Sequence, residues 1–210
     1  VYNFGNNTMI GGSGPLTRFS DLPAARRDPA GRNLQGVGLM MEGFGHNPPL
    51  YDLMFDRAWR PEVDLTQWWP AFARYRYGVD DPATVEAWNT LRTVLHTASY
   101  NTASRTAVTS FPSTKARLGR RPASTLARSW RLLLQAGPQA AATETWRHDL
   151  VNVARQCLAE QANARYDGVM DAFRAGDRAA LAKTTGEFIG LLHDRSEERR
   201  VGKECRTRWS

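Results

Sequence analysis

The sequence predicts a mainly α-helical chain that opens with a short α/β segment and continues as a helical domain. Three observations carry this reading. Residues 36–41, Gly-Val-Gly-Leu-Met-Met, form an apolar run of strand length that ends at Glu42-Gly43. A capped helical pattern follows from Asn47. From Pro61 onward the signals are almost all helical, and no internal repeat points to a solenoid.

Taken in order, residues 1–14 are rich in Gly and Asn and read as a strand end followed by an irregular loop. Residues 23–27 carry a short helical pattern, and the strand at 36–41 comes next. Asn47 suits an N-cap and Pro48 the first helical position, because the missing proline N–H would have no partner there. Leu50, Leu53, Met54 and Ala58 then keep helical spacing to Trp59. Strand, loop and helix in this order make the βα unit of an α/β fold, in which loops after strand C-termini hold the chemistry.

The helical part begins with Asp64 and Gln67 spaced as a capping box, leading into the stripe Leu65, Trp68, Trp69, Phe72 and Tyr75. Pro70 is expected to kink this helix or delay its start. Asp81-Pro82 opens a helix with Val85, Trp88, Leu91 and Leu95 on one face. Residues 99–121, Ser/Thr-rich and basic, read as a long loop. A helix near 122–135 carries Leu126, Trp130, Leu133 and Leu134 and stops at Gly137-Pro138. The longest pattern, about 143–175, runs through Leu150, Ala154, Cys157, Leu158, Ala162, Tyr166, Val169, Met170 and Phe173. Gly176 can end it in the left-handed conformation and Asp177 can cap a last helix bearing Leu181, Phe188, Leu191 and Leu192.

Composition narrows the function classes. An apolar fraction of 41% with seven Trp among 210 residues supports a packed core. No apolar run approaches the length of a membrane span, so no membrane association is expected. The net charge of +7 would suggest nucleic acid, but residues 195–210 hold six Lys/Arg against three Glu. Without them 22 basic and 18 acidic residues remain, a net of +4, and no nucleic-acid partner is expected. Residues 195–210 resemble a sequencing adapter read through in frame and are expected to be an artefactual, disordered tail. The chain begins inside a strand, so the true N-terminus is expected to lie upstream and the missing leader says nothing about compartment. Setting Cys205 aside with the tail leaves Cys157, which reads as a small buried hydrophobe.

Among chemistry-bearing residues Glu42 stands out. A carboxylate at the C-terminal end of an apolar strand, followed by Gly43, either faces a pocket formed by that edge or is solvated at a turn. His46, His96, His148 and His193 lack metal-ligand spacing, so no metal and no cofactor is expected. Gly11-Gly12-Ser13-Gly14 lacks the Lys-Ser/Thr of a phosphate loop. Glu86, Glu144, Glu160 and Glu187 fall in helical patterns and read as solvated, and Trp68-Trp69 reads as core rather than sugar platform.

Residues 37–54, Val-Gly-Leu-Met-Met-Glu-Gly-Phe-Gly-His-Asn-Pro-Pro-Leu-Tyr-Asp-Leu-Met, followed by Ala58-Trp59-Arg60, resemble the α-N-acetylglucosaminidase family. Asn3-Phe4-Gly5-Asn6-Asn7, Arg76-Tyr77-Gly78, Trp130-Arg131-Leu132-Leu133-Leu134, Arg147-His148-Asp149-Leu150 and Arg155-Gln156 extend the similarity in colinear order from residue 1 to about 194. The resemblance implies that 1–62 is the C-terminal portion of a TIM-barrel catalytic domain and 63–194 an all-α C-terminal domain. It implies a retaining exo-hydrolase of terminal α-linked N-acetylglucosamine, with a glycan as its partner and Glu42 as nucleophile. Tyr2 and Asn3 are the substrate-binding candidates, although Tyr2 stands where the family commonly has His and Asn6 replaces the first of two Gly. The family's acid/base Glu lies on an earlier strand, upstream of the segment matching Val1, so the chain alone is expected to be inactive. A secreted, periplasmic or lysosomal parent protein is implied as well. The alternatives are a non-catalytic helical scaffold module, which has no reason to assemble Glu42 with a Gly-rich strand and capped helix, and a glycoside hydrolase of other sugar specificity.

Overall fold

The computed structural model describes residues 2–3, 40–41, 48–60, 62–96, 107 and 122–207. Strands β1 (Tyr2–Asn3) and β2 (Met40–Met41) precede α1 (Pro48–Trp59), α2 (Leu65–Tyr77), α3 (Pro82–His96), α4 (Ala123–Leu134), α5 (Pro138–Ala141), α6 (Glu144–Ala175) and α7 (Arg178–Thr207). The described residues are therefore mostly helical. The short helix expected at 23–27 and the loop expected at 99–121 lie outside them, except for Ala107.

The helix ends follow local capping chemistry. Pro48 is the first residue of α1. At α2 Asp64 accepts at 2.8 Å from the Thr66 N–H and at 2.7 Å from its hydroxyl. The cap thus closes on Thr66, and the reciprocal bond expected from the Gln67 side chain is not what secures this end. Pro70 lies inside a continuous α2, and the helix starts at Leu65 despite it. A proline six residues into a helix removes one backbone bond, an early loss that the packing of Trp68, Trp69 and Phe72 offsets. Gly78 ends α2 at φ +67°. Asp81 then serves two helices: Oδ1 accepts from Thr84 N at 2.8 Å and Oδ2 from Gly137 N, before α5, also at 2.8 Å.

Two compact units make up the chain, the first holding residues 1–104 and 121–156, the second 105–120 and 157–210. In the first, α2 contributes Trp68, Trp69, Phe72, Ala73 and Tyr77 to the core. Trp68 stacks on Phe72 at 5.2 Å, Trp69 on Trp88 at 6.3 Å, and Phe72 meets Trp88 edge-on at 5.0 Å. Such aromatic pairs each contribute about 0.5–1.5 kcal/mol beyond burial.

The packed stripe on α3 is Thr84, Ala87, Trp88, Leu91 and Val94, rotated from the expected one, and Val85 is only half-buried. Ser129 on α4 is the reason: its hydroxyl donates to Ala87 O at 2.7 Å, and two small residues facing each other let the backbones approach. That register buries Leu126 and Leu133, half-buries Trp130 and leaves Leu134 51% exposed, where a stripe including Trp130 and Leu134 was expected.

The second unit is a helical hairpin. At the end of α6, Gly176 N donates to Phe173 O and Asp177 N to Ala172 O, each at 3.1 Å, with Gly176 at φ +67°. This is the paired closure of a Schellman motif. Asp177 then turns N-cap, its Oδ1 accepting from Ala180 N at 2.9 Å. Tyr166 and Phe188 meet across the hairpin at 5.8 Å. Cys157 is buried, as a small hydrophobe should be. Helix α7 runs on to Thr207, so the backbone of the segment expected to be disordered is helical there. Glu, Arg and Lys, eight of the twelve residues from 195 to 206, are good helix formers, and their charge does not prevent a helix from continuing.

Candidate active site

The two strands pair in parallel, Tyr2 opposite Met40 and Asn3 opposite Met41. Parallel pairing puts both C-terminal ends at one edge, and it brings together segments 38 residues apart in sequence. Glu42 is the residue after Met41. Glu42 itself, and the side chains of Tyr2 and Asn3, lie outside the described residues. Helix α1 starts six residues beyond Glu42, at Pro48. A trans chain spans at most about 3.6 Å per residue, so this tether reaches no more than about 22 Å.

Helix α1 is attached to α2 through carboxylates. Asp56 Oδ2 accepts from Trp68 Nε1 at 2.6 Å. Asp52, one turn earlier, has its carboxyl pushed above the usual value by burial; the positive charge of Arg76 opposes this and the negative charge of Asp56 adds to it.

A polar cluster that periodicity does not reveal joins α2, α3 and α6. Arg76 holds Asp149 with two hydrogen bonds, Nε to Oδ2 at 2.5 Å and Nη2 to Oδ1 at 2.6 Å. Tyr77 Oη donates to Asp149 Oδ2 at 2.8 Å and accepts from Trp88 Nε1 at 2.9 Å. His148 Nδ1 lies 3.2 Å from Asp149 Oδ1. The guanidinium sits 5.8 Å from the Phe72 ring centroid and 5.9 Å from that of Trp88. Burial works against the Arg76 charge, but the hydrogen bonds and charge of Asp149 outweigh it and raise the pKa. The Tyr77 hydroxyl is raised too, first by burial and then by the Asp149 charge beside it. Both Asp149 oxygens accept from fixed donors, which makes this carboxylate a structural anchor between α2 and α6. Arg76-Tyr77-Gly78 and His148-Asp149-Leu150 were visible as motifs; what they do becomes apparent only when residues 73 apart meet.

The other carboxylates divide. Glu86 pairs with Arg128 at 3.0 Å on the surface, and Glu144 and Glu187 are exposed. Glu160, expected to be solvated, is 4% exposed. It sits on an α6 face with Gln156 and Asn163, also buried, and Asn163 Nδ2 reaches its Oε2 at 3.4 Å. Asn163 Oδ1 accepts from Ala107 N at 2.8 Å, so this face satisfies loop backbone rather than facing water. Polar residues there broke the apolar pattern from which burial is read. His148 and His193 are exposed, and among the described residues no group of three His, Cys, Asp or Glu could hold a metal ion. None of the described helices is long and apolar enough to cross a membrane.

Family comparison gives this geometry a context. The model of the α-N-acetylglucosaminidase C-terminal domain matches residues 68–198, and that of the TIM-barrel domain of the same enzymes matches residues 1–61. The matches define the class first: a chain that matches a TIM-barrel domain model and then a C-terminal domain model of one family. The chain belongs to the α-N-acetylglucosaminidase family. It is 30% identical over 199 residues to α-N-acetylglucosaminidase of Homo sapiens, an alignment covering 89% of this chain and 26% of that protein. The chain thus spans about a quarter of the length of that curated relative.

Among solved structures, a family 89 glycoside hydrolase from Clostridium perfringens in complex with 2-acetamido-1,2-dideoxynojirmycin superposes with a TM-score of 0.76 at 18% identity, over 90% of this chain and 23% of that one. The same hydrolase in complex with PUGNAc gives the same values. A variant of it, in complex with its substrate GlcNAc-α-1,4-galactose, gives 0.75 at 17% identity. These likenesses concern the fold.

Proposed function

We propose that residues 1–62 are the C-terminal portion of a TIM-barrel catalytic domain and 63–194 the helical domain of a retaining exo-α-N-acetylglucosaminidase, with residues 195–210 foreign to it. In this reading Glu42 is the nucleophile, Tyr2 and Asn3 bind substrate, and a glycan ending in α-linked N-acetylglucosamine is the partner. The parallel register of β1 and β2 carries it: Asn3 is level with Met41, so two strand ends that are remote in sequence share one edge, and Glu42 is the next residue. Support comes also from the limits of the two family models, which divide between residues 61 and 68.

A retaining glycosidase sets two carboxyl groups about 5–5.5 Å apart, too close for an intervening water. Glu42, ionised, attacks the anomeric carbon and forms a glycosyl-enzyme ester as the aglycone oxygen takes a proton from the second carboxyl group. Water then attacks the same carbon, deprotonated by that second group, and Glu42 leaves as carboxylate. The acid/base in this scheme lies upstream of Val1, so the 210-residue chain is inactive by itself. A secreted, periplasmic or lysosomal parent protein follows from the same assignment.

The purified chain is expected to release no phenol from an aryl α-N-acetylglucosaminide above buffer. Turnover that Glu42→Ala abolishes would overturn the inactivity. In the full-length protein Glu42→Ala is expected to lose several orders of magnitude in kcat, and a variant that keeps its rate would remove Glu42 from the mechanism.

A further inference from the structure

A groove of about 610 Å³ runs along the first turns of α2 beside the end of α1. Ligand pockets commonly enclose about 300–1,000 Å³. Its apolar wall is the edge of Trp68 together with Pro70 and Ala71. One face of the Trp68 ring is covered by Phe72, and Asp56 accepts from its Nε1 at 2.6 Å, so this wall is fixed. Pro70 adds more than apolar surface. It has no N–H to give the Thr66 carbonyl four residues back, the bond that any other residue would make inside a helix. Thr66 and Pro70 both line the groove, so an acceptor without its usual helix donor belongs to the wall.

Charge decides the ligand class. Three carboxylates, Asp56, Glu62 and Asp64, line the groove against two guanidinium groups, Arg60 and Arg74, a balance that disfavours an anion. The amides that would hold one at the helix start are already bonded: Thr66 N to the Asp64 carboxylate, Gln67 N and Trp68 N to the Asp64 carbonyl. Two of the carboxylates are committed as well, Asp56 to the Trp68 indole and Asp64 to Thr66, which disfavours a cation. A neutral ligand remains, one whose groups both donate and accept beside an apolar C–H face. Arg60 and the Gln67 amide can donate, Glu62 and the Thr66 carbonyl can accept, and the planar side chains can each meet two neighbouring hydroxyls. We propose that this groove binds a sugar residue of a neutral glycan, its C–H face against Pro70 and Ala71 and its hydroxyls on Gln67, Arg60, Glu62 and the Thr66 carbonyl. The site goes beyond the assignment of Glu42 and does not depend on it.

The test titrates the purified 210-residue chain with GlcNAc-α-1,4-galactose, the substrate named for one of the solved relatives, and follows the Gln67 amide and the Trp68 indole N–H by proton–nitrogen NMR. Binding in the millimolar range is expected, with both resonances moving. Gln67→Ala and Arg60→Ala, at exposed positions, should each weaken it about fivefold through a lost hydrogen bond. Pro70→Ala is the sharpest variant. Its restored N–H bonds the Thr66 carbonyl, so the chain should melt at a higher temperature while binding weakens about fivefold. A proline with a structural role alone would change the melt and leave affinity untouched. Unchanged affinity in both Gln67→Ala and Pro70→Ala overturns the groove, as does no movement of either resonance. The same resonances saturating with sodium sulfate would make this an anion site and overturn the sugar. Glu42→Ala should bind as the wild type does. Binding lost in Glu42→Ala and kept in Gln67→Ala would refute the groove and favour the Glu42 reading, whereas the reverse pattern upholds the groove whatever the role of Glu42.

Discussion

Replacing Asp149 by Asn removes one negative charge from the centre of the buried cluster and nearly nothing from its volume. In the wild type that carboxylate receives two bonds from Arg76 and one from Tyr77, with side-chain exposures of 13% for Arg76 and 3% for Asp149. The amide offers one acceptor oxygen, and its NH2 faces donors. Arg76 then stays buried with its charge uncompensated, and removing one partner of such a pair costs about 3–5 kcal/mol. The surface pair Arg74–Asp80, at 2.7 Å with exposures of 49% and 66%, is the internal standard, because Asp80→Asn should cost about 0–1 kcal/mol. Urea unfolding of the purified chain followed by far-UV circular dichroism measures both. A chain of this size shifts about 2–4 °C per kcal/mol, so Asp149→Asn should melt roughly 6–20 °C lower. The double variant Arg76→Met/Asp149→Leu should cost less than the sum of its singles, since no lone charge remains. Equal costs for Asp149→Asn and Asp80→Asn would refute the argument.

Neighbours in sequence should behave oppositely on α4: Leu133→Ala should cost about 2–5 kcal/mol and Leu134→Ala less than about 0.5, by urea midpoint. Gly176→Ala puts a Cβ at φ +67° where no atom lies within 4 Å, so its cost is conformational alone, about 1 kcal/mol, and Asp177→Ala should cost about 0.5–2 through the lost cap on α7. Hydrogen exchange confined to the α6–α7 corner would register both. The Thr66 hydroxyl and N–H hold the Asp64 carboxyl below its ordinary value of 3.8. A depressed carboxyl contributes stability above the unfolded value and loses it as pH falls through the folded one. The stability gap between wild type and Asp64→Ala should therefore be present at neutral pH and close under acid conditions; a gap that is constant with pH would contradict this.

What could be read along the chain was whatever a few neighbouring residues settle among themselves. Pro48, Asp64, Asp81, Gly176 and Asp177 all stand at helix ends, because a cap bonds an amide two or three residues away and a left-handed glycine needs no partner at all. The run of family motifs from Asn3 to Gln156 was equally open to inspection, and with it the family. Which face of each helix is buried was another matter. The expected stripes on α3 and α4 turned once Ser129 met Ala87, a contact between residues 42 apart that no local window contains. Glu160 and Asp149 went inside against every compositional expectation, because burial of a carboxylate depends on donors supplied from elsewhere: Arg76 and Tyr77 for one, Asn163 for the other. The edge where Asn3 stands level with Met41 is of the same kind. Sequence alone marked Glu42 as a strand-end acid. Only pairing across 38 residues could bring a second strand end beside it, because a parallel ladder joins segments that the chain must leave and return to.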